Sequence, residues 1–360
     1  MRHHLSHRIN SRAWSFRAAA RPGTTTRSTD PRVAPATGAC GITIAKNRRR
    51  TTMYDLIIIG GGPAAAAAAV FALGKQLNFL AIYAEPGKAG RTQQFAGEAG
   101  PEFLPGADAV RMFERQVMAH ADRALRDTVT EVVRESEVFR VSTQHHGTHT
   151  STAVIVATGA TPIALDVPGA RELIGWGLGY SITTHAHMLS GKRAAVIGTT
   201  IRALRGVAEL ARLAERVYLI AADATGLQTP LAYALRKRPN VELLEGYAVT
   251  ELVGSDAIEK LVVTRDQQAR TLAVDAAFVD LGLLPNSGIV RRIAQIDPDG
   301  FILVDDRNAT TLPGLFAAGD VTTAFGEQIM IAIGDGARAA LSVYDYLLAK
   351  QPLPIVEPVD

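Results

Sequence analysis

The chain has 360 residues, 47% hydrophobic and 20% charged, a balance that suits a globular protein long enough for two packed domains. Its formal net charge of +3 conceals an asymmetry: residues 1–52 hold 11 of the 38 Lys and Arg but one of the 35 Asp and Glu, so the remainder is acidic. Residues 53–360 contain no cysteine, no apolar run near the ~18 residues a membrane span needs and no basic stripe interleaved with aromatics, which argues against internal disulfides, cysteine nucleophiles, membrane insertion and nucleic-acid binding.

Residues 1–52 are rich in Arg, Ser, Thr and Pro, contain the single Cys40, and lack a steady apolar period. They read as a disordered tail, as an Arg-rich transit-type leader, or as translation from upstream of Met53, and they stay outside the fold argument. The cysteine-free body fits a reducing cytoplasm.

At 56–59 an apolar, β-branched run predicts a strand buried on both faces. Gly60-Gly61-Gly62-Pro63-Ala64-Ala65 follows and fits G-x-G-x-x-G/A. Gly60 permits the tight turn, and Gly62 lacks the Cβ that would keep a pyrophosphate from the backbone. Ala65 lets helix and strand pack closely, and the helix N-terminus presents unpaired N–H groups. Helix formers run over 63–73, where the alanines form a packing surface. A second strand covers 78–84, and Glu85 at its end is placed to accept from ribose hydroxyls. The pattern points to a bound dinucleotide.

Segments 138–141 and 153–157 alternate around Gln144-His145-His146-Gly147, which predicts a hairpin. His145, His146 and His149 cluster there, but metal ligation is discounted because no carboxylate or cysteine lies nearby in the sequence. No Gly-x-Ser-x-Gly occurs. Ala157-Thr158-Gly159 ends an apolar strand. A second strand–turn–helix begins at 193–198 and continues in a helix over 202–214 and a strand over 217–220, about 140 residues after the first. Near the end, Leu315-Phe316-Ala317-Ala318-Gly319-Asp320 reads as a strand closing in Gly-Asp, and Gly334-Asp335-Gly336-Ala337 reads as the entry to a helix. Asp320 is placed to accept from ribitol hydroxyls.

These segments, with Gly282-Leu283-Leu284-Pro285-Asn286, resemble the pyridine nucleotide-disulfide oxidoreductase superfamily, specifically the low-molecular-weight thioredoxin reductases, over about 53–348. The resemblance implies an α/β fold of two doubly wound Rossmann-like domains, FAD as the cofactor and a homodimer. It implies a discontinuous FAD domain (53–166 and 283–350) around an NAD(P)-binding-like domain (167–282), with a tail at 351–360. It implies flavin contacts at Gln328 and Ile329, beside Gly60, Gly62, Pro63, Ala64, Ala65, Glu85, Ala157, Thr158, Gly159, Gly319 and Asp320.

The chain also departs from that family. Its Cys-x-x-Cys positions fall, by gapless counting from Gly198, on Ser181 and Thr184, and a hydroxyl cannot form and release a mixed disulfide. His185 stands where the family has an acid, and it is the candidate catalytic proton carrier at neutral pH. In the second glycine motif, Gly198-Thr199-Thr200-Ile201-Arg202-Ala203, Thr200 projects where a phosphate should lie. Ala221-Ala222-Asp223-Ala224 stands where NADPH-selecting members carry a basic cluster, so tight NADPH binding is not expected. Asp223 could accept from a ribose diol, and Arg202 or Arg205 could hold an anion.

The expectation is therefore an FAD-dependent oxidoreductase without dithiol exchange, taking electrons from one partner and passing them to another. A ferredoxin- or flavodoxin-type carrier is the first partner to test. Acidic carriers would be repelled by the acidic body, unless they dock at Arg236-Lys237-Arg238 or Arg291-Arg292. Alternatives are a ferredoxin–NAD(P) reductase-like or small-molecule reductase with an unusual nicotinamide pocket, and a non-catalytic FAD-binding protein.

Overall fold

The computed structural model describes residues 53–85, 87, 115 and 121–350; the leader and the 351–360 tail fall outside the described residues. β1 (Met53–Ile59) is apolar over 56–59 and buried there, because it is covered on both faces. It turns at Gly60 into α1 (Pro63–Gly74), whose opening proline occupies the one turn of a helix that needs no backbone donor. The chain returns in β2 (Phe79–Tyr83), parallel to β1, and β3 (Ala124–Arg126) extends that edge. β4 (Val129–Glu135), β5 (Val138–Thr143) and β6 (Thr148–Val156) form an antiparallel meander, with the expected hairpin turn between β5 and β6. β6 also pairs parallel with β1, Ile57 opposite Val154, which joins meander and parallel strands in one sheet ordered β3-β2-β1-β6-β5-β4.

The chain then leaves this sheet through β7 (Ala160–Pro162), α2 (Ala170–Leu173), β8 (Leu178–Gly179) and α3 (Ile182–His185). β9 (Arg193–Ile197), α4 (Ile201–Leu210), β10 (Arg216–Ala221), α5 (Pro230–Leu235) and β11 (Val241–Glu245) repeat the βαβ pattern. α4 ends at Leu210, short of the sequence expectation, because Leu213 bonds back to Leu210 in a tightened last turn. An antiparallel sheet of β12 (Ala248–Val253), β13 (Lys260–Arg265) and β14 (Gln268–Ala273) intervenes before β15 (Ala276–Val279) closes a parallel sheet ordered β11-β10-β9-β15-β8. Leu252, Leu261, Val263 and Leu272 bind the two sheets in one core with Ala195, Ile220 and Val279.

β16 (Leu283–Pro285) pairs antiparallel with β7, so the outgoing and returning chain are tied at one place. β17 (Leu315–Ala317) then pairs parallel with β6, and α6 (Ile329–Lys350) packs on α1. The molecule is an α/β fold with two Rossmann-like units, the first completed by the last segment of the chain.

One sequence expectation is corrected here. Gly334-Asp335-Gly336-Ala337 lies inside α6, which begins at Ile329. The glycines suggest a helix start, but Gly336 serves packing: a Cβ there would fall 2.0 Å from the Ala64 carbonyl oxygen. The two helices approach so closely because alanines 65, 68, 69, 72, 339 and 340 bury their facing stripes. Among the described residues no helix is long and apolar enough to cross a membrane.

Candidate functional site

In open α/β sheets, ligands bind outside the carboxyl ends of the strands, where the strand order reverses. Here that point lies between β1 and β6, whose ends are joined by the Ala157 N–H donating to the Ile59 carbonyl at 2.8 Å. Gly60 has φ +140°, and a Cβ on it would fall 2.1 Å from the Ala157 carbonyl oxygen, so only glycine serves. Gly61 backs onto the Glu85 carbonyl in the same way. A Cβ on Gly62, by contrast, would meet nothing within 4 Å among the described residues. Among the described residues, space is thus kept open above the start of α1.

α1 begins without help from its own side chains. Gly62 is its N-cap, no side chain caps it, and no acid lies in its first turn. The N–H groups of Ala64 and Ala65 have no acceptor within the helix. Donors and the positive end of the helix dipole face the open space, an arrangement suited to an anion such as a pyrophosphate. Glu85 is exposed at the end of β2, Thr158 and Gly159 follow β6, and Gly319, with φ +73°, follows β17. A Cβ on Gly319 would lie 3.1 Å from that of Ala64, so the Gly319–Asp320 turn rests against the first turn of α1. The expected site residues Gly60, Gly62, Pro63, Ala64, Ala65, Glu85, Ala157, Thr158, Gly159, Gly319 and Asp320 therefore lie at the carboxyl edge of one sheet. Asn286 steadies Thr158 and Gly159 there: its Nδ2 donates to the Thr158 carbonyl, the Thr158 hydroxyl donates to its carbonyl, and its N–H donates to the Gly159 carbonyl, at 2.8–3.0 Å.

Gln328 and Ile329 stand at the start of α6, and Gln328 reaches α3. The Thr184 hydroxyl donates to Gln328 Oε1 at 3.4 Å and lies 2.8 Å from the Ser181 hydroxyl. The two side chains that gapless counting puts at the dithiol positions are thus adjacent, three residues apart at the start of α3. His185 Nδ1 donates to the Ser181 carbonyl at 2.9 Å, which leaves Nε2 as the lone-pair nitrogen of the neutral ring. Burial pushes the His185 imidazole below its ordinary 6.5, against a raising influence of the Ser181 carbonyl, and nearby His187 lowers it further.

The second glycine turn is built differently from the first. Thr200 does not project into open space: its hydroxyl caps α4 by accepting from the Ala203 N–H at 3.0 Å and donates to Asp280 Oδ1 at 3.0 Å. Arg202 clasps Asp280 with two bonds, Nε to Oδ2 at 2.8 Å and Nη2 to Oδ1 at 2.6 Å, and its Nη1 reaches Glu327 at 3.4 Å. Burial alone would lower the Arg202 guanidinium, but the carboxylates of Asp280 and Glu327 raise it. The expectation that Arg202 could hold an external anion is therefore corrected, because two carboxylates of the chain already occupy it. Arg205 lies over the Phe325 ring at 5.4 Å. Asp223 accepts from the Thr225 N–H and hydroxyl, closing its own turn.

Asp280 and Glu327 were not singled out from the sequence, although an acid directly after the apolar run of β15 is a visible anomaly. Asp127 was also missed, and it overturns the premise that no carboxylate lies near the hairpin histidines. Its buried carboxylate accepts from His145 Nδ1 at 3.0 Å, from His146 Nδ1 at 2.6 Å and from the N–H groups of Thr128, His145 and His146. Burial would raise this carboxyl, yet those bonds hold it far below the usual range. Asp127 and His145 stand 18 positions apart in the chain, and the antiparallel pairing of β4 with β5, Val129 opposite Thr143, brings them together. Of the basic runs, Arg236 pairs with Glu245, and Arg292 lies 3.5 Å from Glu131.

Comparison with known proteins points the same way. Residues 54–336 match the family model described as pyridine nucleotide-disulphide oxidoreductase. The F component of alkyl hydroperoxide reductase in Pseudomonas putida is 37% identical over 201 residues, 54% of this chain and 38% of the relative. The match thus spans well under half of that relative's length. The crystal structure of thioredoxin reductase from Streptococcus pyogenes is similar with a TM-score of 0.74 and 25% identity, covering 83% of this chain and all of the other. Thioredoxin reductase from Giardia duodenalis shares the fold with a TM-score of 0.75 at 23% identity, covering 82% of this chain and 99% of the other.

Proposed function

The chain belongs to the pyridine nucleotide-disulphide oxidoreductase family, and from that premise we propose that it is an FAD-dependent oxidoreductase of thioredoxin reductase type that does not exchange electrons through a dithiol. The family typically binds FAD. We assign residues 53–166 and 283–350 to the FAD-binding domain and 167–282 to the NAD(P)-binding-like domain. The open space over Gly62 and the uncapped start of α1 support a dinucleotide pyrophosphate there.

In this reading Gly60 and Gly62 shape the turn, Pro63, Ala64 and Ala65 begin the helix that receives the phosphates, and Glu85 accepts from the adenosine ribose. Ala157, Thr158 and Gly159 line the crevice, Asp320 after Gly319 accepts from the ribitol, and Gln328 and Ile329 meet the ring system. FAD, when bound, supplies the redox chemistry. The chain orients it, keeps the Ser181–Thr184 hydroxyls against Gln328, and offers the neutral His185 ring as a proton carrier.

One observation carries the reading. The residues at the dithiol positions are a hydrogen-bonded Ser181–Thr184 pair, and residues 53–360 contain no cysteine. A hydroxyl's pKa is far too high for thiolate-type attack, and no mixed disulfide can form. The self-capped Thr200 and the occupied Arg202 support a second departure, weak binding of nicotinamide nucleotides. Electrons then come from a carrier of ferredoxin or flavodoxin type. Thioredoxin reductase-like proteins are typically homodimers, and we take a homodimer as the assembly.

The test is anaerobic titration of the purified flavoprotein with NADPH, NADH and reduced ferredoxin side by side, read by bleaching of the flavin absorbance. We expect fast bleaching by the carrier and slow or none by either nucleotide. Fast bleaching by a nucleotide would favour a ferredoxin–NAD(P) reductase-like or small-molecule reductase. Turnover of thioredoxin by residues 53–360 would end the proposal.

A further inference from the structure

One buried acid has no part in the site as assigned above. Asp335 lies within α6 and is 4% exposed. Its Oδ1 accepts from Arg338 Nη1 at 3.3 Å, and the Gly319 N–H lies near enough to favour the charged carboxylate. Its Oδ2 is buried and has no hydrogen-bond partner among the described residues. Buried polar atoms are nearly always paired, so an unpaired carboxyl oxygen implies a missing partner.

The surroundings say what kind of partner. Gly319, whose N–H lies near Asp335, rests on Ala64. Gly336, the next residue, sits against the Ala64 carbonyl. The carboxyl therefore lies in the seam where the first turn of α1, the Gly319–Asp320 turn and α6 converge. The first two of these elements are assigned above to the pyrophosphate and the ribitol.

We propose that Asp335 is a cofactor contact, its Oδ2 carrying a proton that is hydrogen-bonded to the FAD pyrophosphate, directly or through one ordered water. This rests on the FAD reading and extends it to a residue that reading does not use. An ionised carboxylate beside a pyrophosphate would be repelled, whereas a neutral acid is a donor. Burial favours the neutral form and raises this carboxyl above its ordinary 3.8, although Arg338 and the Gly319 N–H oppose the shift. Among the described residues the charged group in contact with it is Arg338 on its own helix, and Asp320 adjoins Gly319 in the chain. The facing turn of α1, residues 63–69, carries none, and Asn308, which shares Arg338 at 3.4 Å, is uncharged.

Binding FAD with Asp335 protonated takes up one proton wherever the free site is ionised. The FAD dissociation constant should then rise with pH, approaching tenfold per unit above the carboxyl's pKa in the free site. The experiment dilutes full-length holoprotein at pH 5–9 and reads free FAD by its fluorescence, for the natural chain and for Asp335→Asn. Asparagine keeps an acceptor for the Gly319 N–H and a donor at the second position, and it does not titrate. We expect a pH-dependent constant for the natural chain and a flat one for Asp335→Asn, with Asp335→Ala weaker than both at pH 6. Equal pH profiles for the natural chain and Asp335→Asn, or no dependence in either, would overturn the assignment of Asp335 while leaving the FAD reading intact. A natural chain that retains no FAD at any pH overturns both.

Discussion

His185 couples the backbone around the hydroxyl pair to a titratable ring. Its Nδ1 is committed to the Ser181 carbonyl, so proton transfer falls to Nε2. Burial holds the ring below 6.5, which makes it neutral at pH 7 and charged only in more acidic solution. If His185 carries a proton during flavin reduction, the rate should change with an inflection below pH 6.5 and be level above it. His185→Ala should remove that inflection, as stopped-flow reduction across pH 5–8 would read out. A profile that survives the substitution would make the histidine a packing residue. Position in the sequence suggests His185 as a candidate, but neither its burial nor its bond to Ser181 can be read there. Asp127 makes the same point more strongly, since nothing in the order of residues along the chain links it to His145 and His146.

At the level of helices, the two phosphate-type turns show how one motif yields opposite local chemistry. α1 starts on glycine and proline, with no side chain to satisfy its own N–H groups. α4 starts on Thr200, which satisfies the Ala203 N–H itself. The sequence marks Thr200 as the departure but suggests an obstruction to phosphate; the structure turns that side chain back onto its own helix as a cap. The start of α6 does not show, because its glycines answer to a partner helix near the opposite end of the fold's sequence. Two substitutions separate these roles. Gly336→Ala should destabilise the protein by about 1–3 kcal/mol, since a Cβ 2.0 Å from the Ala64 carbonyl forces the helices apart. Gly334→Ala, where a Cβ would meet nothing within 4 Å among the described residues, should stabilise it by about 0.5–1 kcal/mol through helix propensity alone. Urea denaturation of the two variants checks the contrast in sign.

Across the whole molecule, Arg202 joins the two Rossmann-like units by touching Asp280 in one and Glu327 in the other. The energies are unequal. Asp280 is 4% exposed, and removing the partner of a buried carboxylate costs about 3–5 kcal/mol. Glu327 is 38% exposed at 3.4 Å, and such pairs contribute about 0–1 kcal/mol. Arg202→Met should therefore destabilise by about 3 kcal/mol, Glu327→Gln by less than about 1 kcal/mol, and Asp280→Leu should restore much of what Arg202→Met loses. Denaturation midpoints of the three variants decide it, and equal losses for Arg202→Met and Glu327→Gln would place the energy in the link between units. The two βαβ units, the turn at Gly60–Gly62, the hairpin at 144–147 and the absence of thiols from residues 53–360 were all legible in the order of residues alone, because they depend on short-range periodicity, turn chemistry and composition. Folding in three dimensions was needed to show that Arg202 is neutralised, that Asp127 gathers two histidines, that α6 begins at Ile329 and that Asp335 is buried with an oxygen unpaired among the described residues. Each of those depends on groups distant in the chain competing for the same few cubic ångströms, and no local pattern records that competition.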